Sequence, residues 1–320
     1  MLLVTGAAGF IGYHVARRLL ESGADVTGVD SLNAYYDPAL KQARLRELAA
    51  FPRFRFVAGD IATPGVLETA VPAADVTAIV HLAAQAGVRY SLEAPFEYER
   101  ANVAGHLSVL EYARAAPRLK HLVYASSSSV YGDRSDGPFR EDDRCDAPAS
   151  LYAATKRACE LMSETYARLY AIPQTGLRFF TVYGPWGRPD MAYFIFTEKM
   201  LRGETLTLYG DGKLARDFTY IDDVAQAVAR ILGAPPDGAP PHAIYNLGNS
   251  RPSTVLDLVS ALESATGVRA QTVFAPPQPG DVTVTFADHS RASARFGFAP
   301  TTTLRDGVPR FVDWHKSWRT

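Results

Sequence analysis

Apolar and polar positions along this chain follow two rhythms. Short apolar-rich runs recur at residues 1–4, 25–29, 54–58, 76–81, 121–125 and 175–180, and each stops at a polar residue or a glycine. Between them, apolar residues return at helical spacing: residues 13–22 carry Val15, Leu19 and Leu20, residues 38–50 open with Pro38, and residues 96–115 and 150–170 are longer. Strand and helix in alternation predict an α/β fold, a doubly wound parallel sheet of Rossmann type. After residue 184 the rhythm loosens. Helices are expected at 194–201, 224–232, 254–266 and from 304 onward, between Pro/Gly-rich loops at 185–189, 234–241 and 276–280. We therefore expect a nucleotide-binding domain over residues 1–180 and a smaller mixed C-terminal substrate lobe over residues 181–320, with the chain weaving between the two. In a sheet of this kind ligands bind at the carboxyl ends of the strands, where Asp30, Asp60, His81 and Ser126 to Ser129 fall.

The first predicted strand leads into Thr5-Gly6-Ala7-Ala8-Gly9-Phe10-Ile11-Gly12 and then into a helix. The spacing is G-x-x-G-x-x-G rather than G-x-G-x-x-G, and the context gives it meaning. Gly6 permits the sharp turn, Gly9 lets backbone N–H groups approach a pyrophosphate, and Gly12 lets the helix pack against the strand. The uncapped helix start attracts an anion. Eighteen residues after Gly12 the second strand ends at Asp30, an acid placed to accept from a ribose 2′-hydroxyl and to repel a 2′-phosphate. That layout calls for NAD rather than NADP.

Composition narrows the remaining classes. The 320 residues are 47% hydrophobic and 21% charged, as in an ordinary globular protein, and the formal net charge of −1 draws the chain neither to nucleic acid nor to an anionic membrane. Two cysteines, Cys145 and Cys159, make no disulfide framework, and the seven histidines show no metal-ligand spacing, so no metal is expected. Neither a signal peptide nor a membrane-spanning run is read, and a cytoplasmic location is expected.

Chemistry gathers at Ser127, Tyr152 and Lys156. Tyr152 and Lys156 are four apart on a predicted helix and so share a face, while Ser127 follows the fifth strand. An ordinary phenol holds its proton to about pH 10, and a cation about 4 Å away favours the phenolate by about 4 kcal/mol at an effective dielectric of 20. Beside such a cation a tyrosine takes a proton from a substrate hydroxyl as hydride leaves the same carbon; a serine shares that proton, and the lysine also holds the cofactor ribose. On an arbitrary helix the same pair is a half-buried aromatic next to a solvated lysine. The glycine loop and the serine run favour the chemical reading.

These stretches, with Tyr124 to Gly132 and Tyr152-Ala153-Ala154-Thr155-Lys156, resemble the extended short-chain dehydrogenase/reductase family over essentially the whole chain. Within it the chain looks like the nucleotide-sugar epimerases, most nearly the UDP-glucuronate 4-epimerases, through residues 30–37 and 184–192. The resemblance implies NAD contacts from Gly6, Gly9, Phe10, Ile11, Asp30 and Asn33 around the loop. It implies further contacts from Asp60, Ile61, Leu82, Ala83, Ala84 and Asn102, and from Tyr152, Lys156 and Val182. It also implies a homodimer built on helices 96–115 and 150–170, and a UDP-sugar as the small-molecule partner.

Two serines select among reactions. Related dehydratases carry Asp-Glu at the positions of Ser128 and Ser129, and related decarboxylases usually carry Glu at the position of Ser129; this chain has neither carboxylate. Without an added acid or base, oxidation and re-reduction at one carbon remain, which is epimerisation. A uronate oxidised at C4 becomes a β-keto acid prone to lose CO₂, so its carboxylate must be held still. Thr181 and Arg188 are the candidates, a guanidinium gripping a carboxylate through two parallel bonds. Arg216 suits the pyrophosphate, and Arg89, Ser128 and Asp281 complete the candidate substrate contacts. Arg89 and Asp281 read equally well as members of surface ion pairs. The alternatives carried forward are a neutral UDP-glucose/galactose 4-epimerase, a UDP-glucuronate decarboxylase and a non-catalytic NAD-binding regulator.

Overall fold

The computed structural model describes residues 1–134, 136–276 and 283–319. Its strands are β1 (Leu2–Thr5), β2 (Val26–Asp30), β3 (Phe54–Ala58), β4 (Ala78–His81), β5 (His121–Ser127), β6 (Gln174–Phe179) and β7 (Thr181–Tyr183). They continue with β8 (Leu206–Tyr209), β9 (Ala215–Tyr220), β10 (His242–Leu247), β11 (Pro252–Thr254), β12 (Thr272–Ala275) and β13 (Val284–Thr285). A seven-stranded sheet has the order β10-β6-β5-β4-β1-β2-β3. The order reverses beside β1, whose two neighbours both run parallel to it: Leu3 lies opposite Thr27 of β2 and Ile79 of β4. The sheet is the α/β arrangement expected from the alternation, with a seventh strand, β10, where the sequence suggested none.

The chain forms two compact units. The first comprises Met1–Val130, Cys145–Arg178 and Ala225–Tyr245, and holds most of the parallel sheet. Its core is apolar side chains from strands and helices together, Leu3, Val29, Ile79, Leu110 and Leu122 among them. Helix starts are fixed by side-chain caps: Asp37 accepts from Ala39 N at 2.9 Å before helix Pro38–Ala49, and Ser150 accepts from Ala153 N at 3.1 Å before helix Leu151–Tyr170.

The second unit comprises Tyr131–Arg144, Phe179–Val224 and Asn246–Thr320. Here β9 pairs with β7, β11 and β13, and β8 pairs with β12. Its organising residue is Asp217, fully buried on β9. One carboxylate oxygen accepts from Asn249 N at 2.5 Å, and the other from Ser250 N at 2.9 Å and Ala287 N at 3.0 Å. Burial pushes this carboxyl up, and the three backbone N–H groups oppose that push. The short strands of this unit were invisible to periodicity.

Two expectations need correction. The predicted helix 96–115 is helical from Pro95 to Arg114 but carries a π-helical turn at Glu99–Ala104. Strand β5 runs through Ser127 rather than stopping at Ser126, so the first two serines belong to the sheet.

Candidate active site

The glycine loop closes on itself after β1. Gly9 N donates to Gly6 O at 2.9 Å, and Gly9 is the N-cap of helix Phe10–Glu21, with no side chain capping it and no acid in its first turn. The loop has no room for side chains: a Cβ on Gly12 would stand 1.9 Å from Gly6 O, and one on Gly6 would stand 2.7 Å from Ala83 N. Gly6 also has a φ of +72°. Thr5 brings the neighbouring strand end in, since Ala83 N donates to its hydroxyl at 3.2 Å and Leu82 N donates to its carbonyl at 3.1 Å. At the end of β2 the buried Asp30 accepts from Ala8 N at 3.1 Å and Leu32 N at 2.9 Å, which aims its carboxylate at the loop. Gly6, Gly9, Phe10, Ile11, Asp30, Leu82 and Ala83 are thus brought together, with Ala84 next in chain.

Around this cradle the structure adds partners. Asn33 is exposed, and its side-chain and backbone oxygens accept from Lys41 Nζ at 2.6 and 2.9 Å. Asp60 pairs with Arg100 and accepts from Ala62 N at 3.0 Å, and the following Ile61 is buried. Asn102 sits on the π-helical turn. It exchanges two bonds with the Gln85 backbone, 2.8 and 3.0 Å, and donates to Thr155 Oγ1 at 3.0 Å, tying the loop after β4 to helix Leu151–Tyr170.

The catalytic candidates meet at the end of β5. Lys156 is 4% exposed and its Nζ donates to Ala125 O at 2.9 Å, so a buried ammonium is held against the strand that ends in Ser127. Ser127 is buried and its hydroxyl accepts from Ser129 N at 3.2 Å, leaving Ser128 at the turn. Tyr152 lies one helical turn before Lys156, half-buried, with its ring edge-on to Tyr98 at 6.0 Å. Tyr98 in turn donates to Ala86 O at 2.9 Å and also to Gly87 O. Arg89 is exposed, immediately ahead of the helical turn Tyr90–Glu93.

In the second unit, Thr181 and Val182 open β7, Thr181 half-buried and Val182 buried. Arg188 lies in the loop after β7 and forms a two-bond pair with Asp190. Arg216 is half-buried on β9 and donates to Ala215 O at 2.9 Å. Asp281 lies outside the described residues. In the same unit Phe194 is core, packed on Phe311 and His315, and Trp186 packs with tilted rings against Trp314 at 5.2 Å and Trp318 at 5.9 Å.

The model of the NAD dependent epimerase/dehydratase family matches residues 2–248, over three quarters of the chain. The chain belongs to this family. It is 48% identical over 330 aligned positions to UDP-glucuronate 4-epimerase 1 of Arabidopsis thaliana, covering 99% of this chain and 77% of that one. It is 44% identical to a probable UDP-glucuronate 4-epimerase of Rhizobium meliloti, covering 98% and 96%. Among solved structures it superimposes on UDP-glucuronic acid 4-epimerase from Bacillus cereus in complex with UDP-glucuronic acid and NAD, with a TM-score of 0.91, 36% identity and 99% of both chains covered.

For a member of the epimerase/dehydratase family, two features behind the site escaped the sequence reading, the ion-pair cluster of Glu160 and the stacking of His106 on His81, whose strand-end place was expected. Glu160, one turn after Lys156 and 1% exposed, accepts from Ser126 Oγ at 2.6 Å, from Arg178 at 2.8 and 3.0 Å and from Arg157 at 2.8 Å. Burial alone would raise its carboxyl, but the Arg178 fork and the other donors hold it below the ordinary carboxylate range. The only sequence signal was an acid on the apolar face of a helix. His81 is a hydrogen-bonded strand-end residue, 2.7 Å from Thr5 Oγ1, stacked at 5.2 Å on His106, which lies 2.9 Å from Ser163 Oγ. Burial pushes both imidazoles down, His106 to about 3, and each lies near the charge of Lys156.

Proposed function

We propose that this protein is a UDP-glucuronate 4-epimerase that interconverts UDP-glucuronate and UDP-galacturonate through a 4-keto intermediate with tightly bound NAD. The observation that carries the reading is a strand end with hydroxyls, a tyrosine and a buried ammonium but, among the described residues of that strand end and the turn after it, no carboxylate free of arginine to donate or remove a second proton. Ser128 and Ser129 stand where a dehydratase has an acid pair, and Glu160, the carboxylate that reaches this strand end through Ser126, is locked to two arginines. The names of the relatives support the same reading.

The first unit fits the cofactor: its glycine cradle would be filled by any Cβ, its helix start is uncapped, and its buried Asp30 carboxylate stands at the ribose end. Gly6, Gly9, Phe10 and Ile11 would hold the pyrophosphate, Asp30 and Asn33 the adenosine ribose, Asp60 and Ile61 the adenine. Leu82 to Ala84, Asn102, Lys156 and Val182 would line the nicotinamide half. When bound, NAD would supply the hydride acceptor for C4, and the 4-keto sugar would turn over so that the hydride returns to the opposite face of that carbon. Tyr152 accepts the C4 hydroxyl proton at its phenolic oxygen and later gives it back, Ser127 shares that proton, and Lys156 keeps positive charge at the phenol. Arg188 and Thr181 hold the uronate carboxylate so that its bond to C5 is not aligned with the ketone, while Arg216 takes the pyrophosphate, with Arg89, Ser128 and Asp281 as further contacts.

We also propose a homodimer in the cytoplasm. The helical segment 95–114 and helix Leu151–Tyr170 expose Phe96, Leu107, Leu161 and Leu169, Phe96 by 84%. No helix among the described residues is long and apolar enough to cross a membrane. Light scattering of the wild type and of Leu161→Glu tests the dimer, and a wild type that elutes as a monomer rejects it.

Incubation with UDP-glucuronate followed by NMR of the product tests the function. UDP-galacturonate is expected. A pentose product makes the protein a decarboxylase, and unchanged substrate rejects the enzyme reading. Arg188→Ala is expected to reduce turnover of UDP-glucuronate far more than that of UDP-glucose; equal losses discard the clamp.

A further inference from the structure

Arg188 already holds a carboxylate. Its Nε donates to Asp190 Oδ1 at 3.1 Å and its Nη2 to Asp190 Oδ2 at 3.0 Å, the parallel two-bond geometry by which a guanidinium grips any carboxylate. We propose that Asp190 is an internal competitor for this fork, which an acid sugar must displace, and that it thereby sets the preference for uronates over neutral hexoses. The inference rests on the reading above, in which Arg188 holds the substrate carboxylate.

Two observations make an exchange physically reasonable. The pair is close to solvent, with side-chain exposures of 23% and 27%, so a released Asp190 can be taken up by water without a large desolvation change. The loop beneath it is firmly seated. Met191 N donates to Arg188 O at 3.2 Å, helix Ala192–Leu201 begins at the next residue, and Trp186, with a φ of +60°, packs with tilted rings against Trp314 and Trp318. Displacement can therefore be a side-chain event rather than a loop rearrangement.

The consequence follows from charge accounting. A uronate entering the fork replaces one carboxylate–guanidinium pair with another, so its acid group gains only the difference between the two. A neutral hexose leaves the Arg188–Asp190 pair as it is. Asp190 thus moderates the hold on acid sugars, which suits a reaction whose substrate and product are both acids and must both leave. Asp190 acts through Arg188 and is a positioning residue, not a catalytic one.

The test is Asp190→Asn, which keeps the shape and removes the charge. KM and kcat are measured with UDP-glucuronate and UDP-glucose. Binding of each is followed by tryptophan emission, because the three tryptophans of the chain all cluster beside this loop. The ratio of KM for UDP-glucuronate to KM for UDP-glucose, and the corresponding Kd ratio, are expected to fall about three- to tenfold. Asp190→Glu, which keeps the charge, is expected to retain the wild-type ratio, and Asp190→Ser supplies the same comparison if the asparagine disturbs the loop. A ratio that stays the same or rises in the neutral variants overturns the proposal. If that happens while Arg188→Ala remains selective for the uronate, only the role of Asp190 fails; if Arg188→Ala is unselective, the clamp itself fails.

Discussion

Removing Glu160 should cost more than removing any exposed charge in this protein. Glu160→Ala deletes the acceptor of four short bonds, two from Arg178, one from Arg157 and one from Ser126. Arg157 can turn to water, but Arg178 is 2% exposed and would lose the carboxylate that accepts two of its bonds. Breaking a buried pair from one side costs about 3–5 kcal/mol. For a chain of this size each kcal/mol lowers Tm by about 2–4 °C, so a fall of about 6–20 °C is expected. Differential scanning calorimetry checks it, read on the transition of the first unit if the two units melt separately. The double variant Glu160→Leu, Arg178→Met removes both charges and should recover most of the loss, since a hydrophobic pair of similar volume is often neutral. A Tm fall under about 2 °C in Glu160→Ala would refute the reasoning, as would a double variant no more stable than the single.

Gly12→Ala should empty the cofactor site, because its methyl would stand 1.9 Å from Gly6 O; NAD released from the acid-denatured protein measures this, and wild-type NAD content would count against the cradle. Tyr152→Phe should lower kcat by about 10²–10⁴ with NAD still bound, and turnover within tenfold of wild type would remove the tyrosine from its role. Stability should fall on acidification before carboxylates titrate. His81 and His106 have folded values depressed by burial below the ordinary 6.5, so the unfolded chain binds protons first, and their contribution is present above about pH 6.5 and drains away below it. Urea midpoints at pH 7.5 and 5.0 measure the slope, and His106→Gln should flatten it; an unchanged slope would show that His106 is not its source.

Most of the first unit was legible because each strand there is an apolar run bounded by a glycine or a polar residue, and each helix keeps its apolar stripe. The glycine loop and Asp30 could be assigned because spacing alone fixes which strand end each occupies. Strand β10 was not legible: His242, Ala243 and Ile244 are only half-buried, and its neighbour in the sheet is β6, far away in sequence. The short strands around Asp217 failed for a related reason, since that carboxylate, rather than an apolar pattern, gathers the backbone of residues 249, 250 and 287. Arg188 could be named as a candidate fork from its loop, but its pairing with Asp190 depends on a loop conformation that no periodicity encodes.

The π-helical turn at Glu99–Ala104 has a consequence for how this segment tolerates change in length. Its wider winding accommodates a residue that a regular helix would have no place for, and it leaves the Asn102 carbonyl to accept from the Cys159 thiol at 3.2 Å. Deleting one residue there would restore regular winding and leave the helix faces on either side in place. The same deletion in the regular turns at Gly105–Arg114 would rotate everything beyond it by about 100° and swing Val109 and Leu110, both buried, off the sheet.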